Sequence, residues 1–172
     1  MPFVPPTVID DDGSGMTGTV LNKAFFDAYN AAISPAFANW TAYTPVWKTT
    51  GTPQPAIGNG TLAGRYLVVG KTVYFVIGMR AGSATTYGGA GLYSWSLPSA
   101  LAGPANIGDV PTYVFAASML TGAGSAQVPV ATYLLGGYDF YAVTSAGGIV
   151  GPTVPFTWAT GCAISLRGTY DI

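Results

Sequence analysis

Histidine and glutamate are absent from this 172-residue chain, cysteine occurs once, and charge is scarce at 8% of residues. Each absence excludes something. Histidine is the side chain whose ordinary pKa of about 6.5 serves proton transfer near neutrality, and its loss removes the usual general base. Without glutamate, any carboxylate pair must come from the seven aspartates, and three of these (Asp10, Asp11, Asp12) stand in one N-terminal run. The lone Cys162 rules out an internal disulfide framework and a cysteine-based zinc site. No run of about 18 apolar residues is present to span a membrane as a helix. The opening Met1-Pro2-Phe3-Val4-Pro5-Pro6 lacks the basic start and apolar centre of a signal peptide. The expectation is a structural or binding protein with no enzymatic activity, no metal and no cofactor.

What the chain does have is apolar and small: 49% hydrophobic residues, 13% aromatics, 24 glycines and 13 prolines. A chain of this length suits one domain with a short appendage, and about 70% of its unfolded surface can be buried. Ordinary soluble domains are about 25% charged, and this one is far below that. With a mean hydropathy of +0.40, so few charges imply that apolar surface is covered by other chains. The net charge is −1, and Lys23, Lys48, Arg65, Lys71, Arg80 and Arg167 lie scattered along the sequence. That spacing offers no footprint for nucleic acid.

Residues 1–38 read as an extended, proline-containing arm followed by one short helix. Thr17 or Thr19 can cap it, and Leu21, Phe25, Ala28, Tyr29, Ala32 and Ile33 recur at three- and four-residue steps. Ser34-Pro35 ends it, because the residue before proline is pushed out of helical space. The stripe serves equally to pack against a partner or against its own domain. From Trp40 to Ile172 the pattern is β. Tyr66–Val69 and Thr72–Ile77 alternate around Gly70-Lys71, which predicts a tight hairpin. Further strands are predicted over 42–48, 91–97, 112–120, 126–135, 138–144 and 162–170. Short strands between Gly, Pro, Ser and Thr turns predict a mainly β fold, an antiparallel β-sandwich or jelly roll. Prolines at 98, 104, 111, 129, 152 and 155 suit strand ends and edges.

Few constellations carry chemistry. Asp10, Asp12 and Ser14, with Gly15 in sixth place, match the first half of a calcium loop, but Leu21 stands where a bidentate acid is needed. An acidic turn near a helix N-terminus accounts for the run. No Gly-x-Ser-x-Gly elbow is present, and no histidine exists to activate a serine. Glycoside hydrolysis would need a pair from Asp109, Asp139 and Asp171. Gly58-Asn59-Gly60 and Gly88-Gly89 read as turns, not phosphate loops. Tyr87, Tyr93, Trp95, Tyr113, Tyr133, Tyr138 and Tyr141 lie in or beside predicted strands. Such rings suit sugar stacking, chain–chain contacts or plain core. The segments Ala84–Gly89 and Gly136–Asp139 are the expected contact surfaces.

A specific resemblance emerges from the order of several pieces. Asp10-Asp11-Asp12-Gly13-Ser14-Gly15 precedes Gly18-Thr19-Val20-Leu21-Asn22-Lys23-Ala24-Phe25-Phe26-Asp27-Ala28. Then come Ala42-Tyr43-Thr44-Pro45-Val46-Trp47, Gly58–Tyr66, Gly70-Lys71-Thr72-Val73-Tyr74, Trp95-Ser96-Leu97-Pro98, Pro155–Ala159 and Leu166–Tyr170. The series resembles the β-sandwich module of small tailed-bacteriophage virion proteins, of the minor tail, fibre-tip or head-decoration type. The resemblance implies a homo-oligomer, commonly a homotrimer, docked on other virion proteins through residues 1–38. Asp10, Asp12, Leu21, Phe25 and Tyr29 would be the attachment residues. Residues 40–172 would face outward, with Tyr87, Tyr138 and Asp139 touching a host-surface glycan. With no shaft repeat, a short spike, decoration or tail-tip knob is expected. The competing readings are a carbohydrate-binding receptor-recognition module and a polysaccharide-degrading enzyme.

Overall fold

The structure, a computed structural model, describes residues 23–33, 39–101, 103, 106–107, 110–111, 113–120, 127–136 and 139–172. Contacts divide the chain into two units, Met1–Asn39 and Trp40–Ile172. In the first, α1 (Lys23–Ile33) ends where Ser34-Pro35 requires. Phe25 lies parallel to Tyr29 one turn along, ring centroids 6.5 Å apart, and meets Phe26 edge-on at 5.6 Å. Asp10, Asp12 and Leu21 lie outside the described residues.

The second unit is mainly β: two four-stranded antiparallel sheets packed as a sandwich. Its strands are β1 (Thr41–Tyr43), β2 (Trp47–Thr49), β3 (Thr61–Val69), β4 (Thr72–Arg80), β5 (Tyr93–Ser96), β6 (Asn106–Ile107), β7 (Val110–Pro111), β8 (Tyr113–Leu120), β9 (Gln127–Gly136), β10 (Asp139–Thr144) and β11 (Ala163–Asp171). Among the described residues, β6 and β7 pair with each other and with no other strand. Hydrogen bonds connect the other nine in the order β1-β3-β4-β11-β8-β9-β10-β5-β2. One layer is β3-β4-β11-β8, edged by the short β1; the other is β9-β10-β5-β2. Strand β9 carries the chain from layer to layer, since Gln127–Val130 pair with β8 and Val130–Gly136 lie along β10. Pro129 falls in the half of β9 that is paired on one side only, where a missing N–H is tolerated.

The order explains why the sheet cannot be flat. Strands β1 and β2 stand at its opposite edges, yet only Thr44, Pro45 and Val46 separate them. Nine flat strands would span about 38 Å at ~4.8 Å per step. The four Cα steps from Tyr43 to Trp47 reach about 14 Å at most. The sheet therefore folds over until its edges meet. This corrects the single strand expected over 42–48: Pro45 lacks the N–H a continuous ladder would use, and the chain changes layer there. Val46 N–H donates to Ser96 Oγ (2.8 Å), and Ser96 N–H donates to the Val46 carbonyl (3.0 Å). Tyr43 lies across Gly64, whose missing Cβ leaves room for the ring.

Period-two alternation fills the space between the layers. Val73, Phe75, Ile77 and Met79 of β4, with Ile164, Leu166 and Tyr170 of β11, face Trp47, Tyr93, Trp95, Phe140 and Ala142 of the other layer. The rings of Phe75 and Phe140 are 5.7 Å apart, although three strands separate β4 from β10 in the hydrogen-bonded order. Trp47, Trp95 and Phe140 form one cross-strand row. Of the rings weighed above between contact surface and core, Tyr93, Trp95 and Tyr141 are all buried. The β3–β4 hairpin turns at Gly70 (φ 62°) and Lys71, positive then negative φ, the type II′ pattern that matches strand twist. Cys162 is buried and reduced.

Truncating a fully buried aromatic should be costly. Phe75→Ala is expected to lower stability by about 3–5 kcal/mol, read as a shifted urea midpoint. Tyr74→Ser, one residue away on the outer face, should change it by less than about 1 kcal/mol.

Candidate functional site

One end of the sandwich is built from two loops, residues 50–60 after β2 and 81–92 between β4 and β5. Gly58 (φ 58°) turns the first loop, and a Cβ there would collide with the Ala84 carbonyl. Asn59 clamps the second loop: its Oδ1 accepts from Ala84 N–H (2.8 Å), and its Nδ2 donates to Ser83 Oγ (2.9 Å). Thr85 Oγ1 donates to the Ile57 carbonyl (2.6 Å) and accepts from Gly82 N–H (2.8 Å). Ala56 and Thr86 exchange two backbone bonds of 2.9 Å, and Gly89 N–H donates to the Pro53 carbonyl (2.8 Å). The expected contact segment Ala84–Gly89 is thus part of a rigid, uncharged, two-loop platform. Such a surface loses little conformational entropy on meeting a partner.

Tyr87 sits within this platform. Its ring is half-buried against the core margin, and its carbonyl accepts from the Tyr93 hydroxyl (2.7 Å). Burial raises the Tyr93 phenol above its ordinary value of 10.0, with Tyr87 adding to the effect. Tyr87 is raised as well, first by burial and then by Cys162. Tyr43, in the seam where the sheet edges meet, is raised by burial and by Tyr170. That seam holds a cleft of about 260 Å³ lined by Tyr43, Tyr66, Ser96, Leu97 and Pro98 among others. It carries no charged group.

Asp139 stands apart from Tyr87. It pairs with Ser96, at the far end of β5 from the loop bearing Tyr87, and takes Lys48 Nζ at 2.8 Å. With side chains 46% and 33% exposed, this pair contributes at most about 1 kcal/mol. Tyr138 and Asp109 lie outside the described residues. Asp171 Oδ1 accepts from Thr72 Oγ1 (2.7 Å) at the end of the other layer. No group of three or more Cys or Asp that could hold a metal occurs among the described residues.

Linear reading missed a cluster of bases. The β3–β4–β11 register places Arg65, Arg80 and Arg167, three of the six basic residues, on the outer face of one layer. Strand parity alone signals that Arg80 shares a face with Tyr74. Joining Arg167 to them needs the register, which sequence spacing does not supply.

The raised phenols set a pH dependence. Folding holds Tyr43 and Tyr93 neutral where the unfolded chain ionises, so their contribution is full below about pH 10 and is lost as pH rises through the higher folded values. Urea midpoints should fall once pH passes about 10. Tyr93→Phe, which removes the donor to the Tyr87 carbonyl, should cost about 1 kcal/mol at neutral pH and flatten that decline. Comparison of the chain with protein-family models, with curated proteins and with solved structures finds no match in any of the three.

Proposed function

We propose that this chain is a non-catalytic structural protein of a tailed-bacteriophage virion, a homotrimeric short spike or decoration. It docks on other virion proteins through residues 1–38 and presents the β-sandwich outward to the host surface. The observation that carries this reading is the contrast between the two units. The sandwich buries its own core, whereas every residue from Phe26 to Ala31 of α1 is exposed, Phe26 to 51%. An isolated 11-residue helix is marginal in water. A partner surface that covers Phe26 supplies what the helix needs, and attachment is the role that the resemblance implies for this segment.

The low charge fits an appendage held among other chains, and the engaged aspartates fit a protein without acid–base chemistry. Asp139 is paired with Lys48, and Asp171 is bonded to Thr72. A receptor-recognition module for carbohydrate is a second reading, favoured by the rigid loop platform around Tyr87.

Deletion of residues 1–34 should leave a soluble folded sandwich that no longer enters the particle, measured by quantitative mass spectrometry of purified virions. Undiminished incorporation would sink the attachment role. Under the second reading, Tyr87→Ala should slow adsorption to host cells, and unchanged adsorption would remove that platform from consideration.

A further inference from the structure

The outer face of the β1-β3-β4-β11 layer differs from the rest of the described surface. Arg65, Val76 and Arg167 form one cross-strand row, so two guanidinium groups flank Val76 across neighbouring strands. The next row holds Leu67, Tyr74 and Thr169, which puts Tyr74 diagonal to both arginines. Tyr74 is 42% exposed and Trp40 is 43% exposed. The Arg65 guanidinium lies 4.9 Å from the centre of the Trp40 ring, a cation–π contact that holds the fork in place over the face. Arg80 extends the basic surface along β4. Among the described residues none of the three arginines has an ion-pair partner, while Lys48 is taken by Asp139. The acid on this face is Asp171, at its far end and bonded to Thr72.

We propose that this face binds an acidic polysaccharide, a polymer of uronic acid on a cell surface, with Arg65 and Arg167 taking carboxylates and Tyr74 meeting the flat side of a sugar ring. Guanidinium forks match carboxylates in two-point geometry. An exposed tyrosine between them offers an apolar face with a polar tip. A second copy of the chain is a poor occupant: a two-fold contact would press like charges together, and the described surface has no acidic patch to answer them. Single-stranded nucleic acid is also poorly served. Its binding relies on a basic groove lined by rings on which successive bases stack, and this face is an open sheet surface with Tyr74 as the ring between its arginines. A uronic acid carries its carboxylate directly on the sugar ring, so one residue can meet an arginine and the flat side of Tyr74 together, whereas in a nucleic acid a sugar separates each phosphate from its base. The proposal deepens the host-contact reading and rests on it for the natural source of the polymer.

The test uses the full chain in affinity electrophoresis and calorimetry with polygalacturonate and alginate, beside fully methyl-esterified polygalacturonate and an oligo-dT strand. The expected result is binding to at least one polyuronate, none to the neutral ester, and weakening with salt. Arg65→Gln and Arg167→Gln should each weaken binding about tenfold or more, and Tyr74→Ser should weaken it as well, with melting temperatures unchanged. Failure of both polyuronates, equal binding of the ester, preference for oligo-dT, or full binding by the arginine variants would each overturn the proposal. Host adsorption of phage carrying Arg65→Gln with Arg167→Gln separates the two claims. Lost polyuronate binding with normal adsorption would leave the site standing and defeat the host-contact reading.

Discussion

Three residues govern the architecture. Thr44, Pro45 and Val46 tie together the two outermost strands of a nine-strand hydrogen-bonded order. A linker that short forces the sheet to fold over, and the fold-over creates an interior between its halves. Everything else follows from that closure: the meeting of Phe75 with Phe140, the burial of Trp95 and Tyr93, and the seam where Tyr43 crosses Gly64. Closure also brings β1 and β2 to one side, and β1 covers the middle of the long β3 edge by pairing with Gly64, Arg65 and Tyr66.

The consequence for function is a division between an inside rich in aromatics and two outer surfaces of different chemistry. At one end, the loops around Asn59 and Thr85 are cross-tied by side-chain and backbone hydrogen bonds into a neutral platform. On the outer face of one layer, Arg65, Arg80, Arg167 and Tyr74 share one sheet surface. The platform is rigid and uncharged; the face is basic and aromatic. The appendage proposed above would have use for both, since a neutral rigid surface gives fit and a basic one gives attraction at longer range.

Local patterns in the chain made much of the fold legible. Alternation around Gly70-Lys71 marks the β3–β4 hairpin, Ser34-Pro35 marks the end of α1, and spaced prolines and glycines mark a strand-and-turn fold. These signals are legible because steric limits on proline, glycine freedom and period-two burial act within a few residues. The candidate contact residues were less legible. Tyr87 stands in a loop as expected, yet its ring leans on the core, and Asp139 lies at the opposite end of β5 with Lys48 across from it. Neither placement has a local cause. Each depends on which strand lies alongside.

What the sequence by itself determined is the class of molecule: a charge-poor, histidine-free, mainly β chain of antiparallel strands with a short helix towards its N-terminus. What only the tertiary structure decided is where the strands go and which side chains they gather. The segment 42–48 looks like one strand in sequence but is two, in opposite layers, because Pro45 interrupts the ladder where the sheet must close. Arg65, Arg80 and Arg167 look scattered because their neighbours in space are set by register across β3, β4 and β11. Strand register is a property of paired chains, fixed by which faces are buried, and linear spacing carries no record of it.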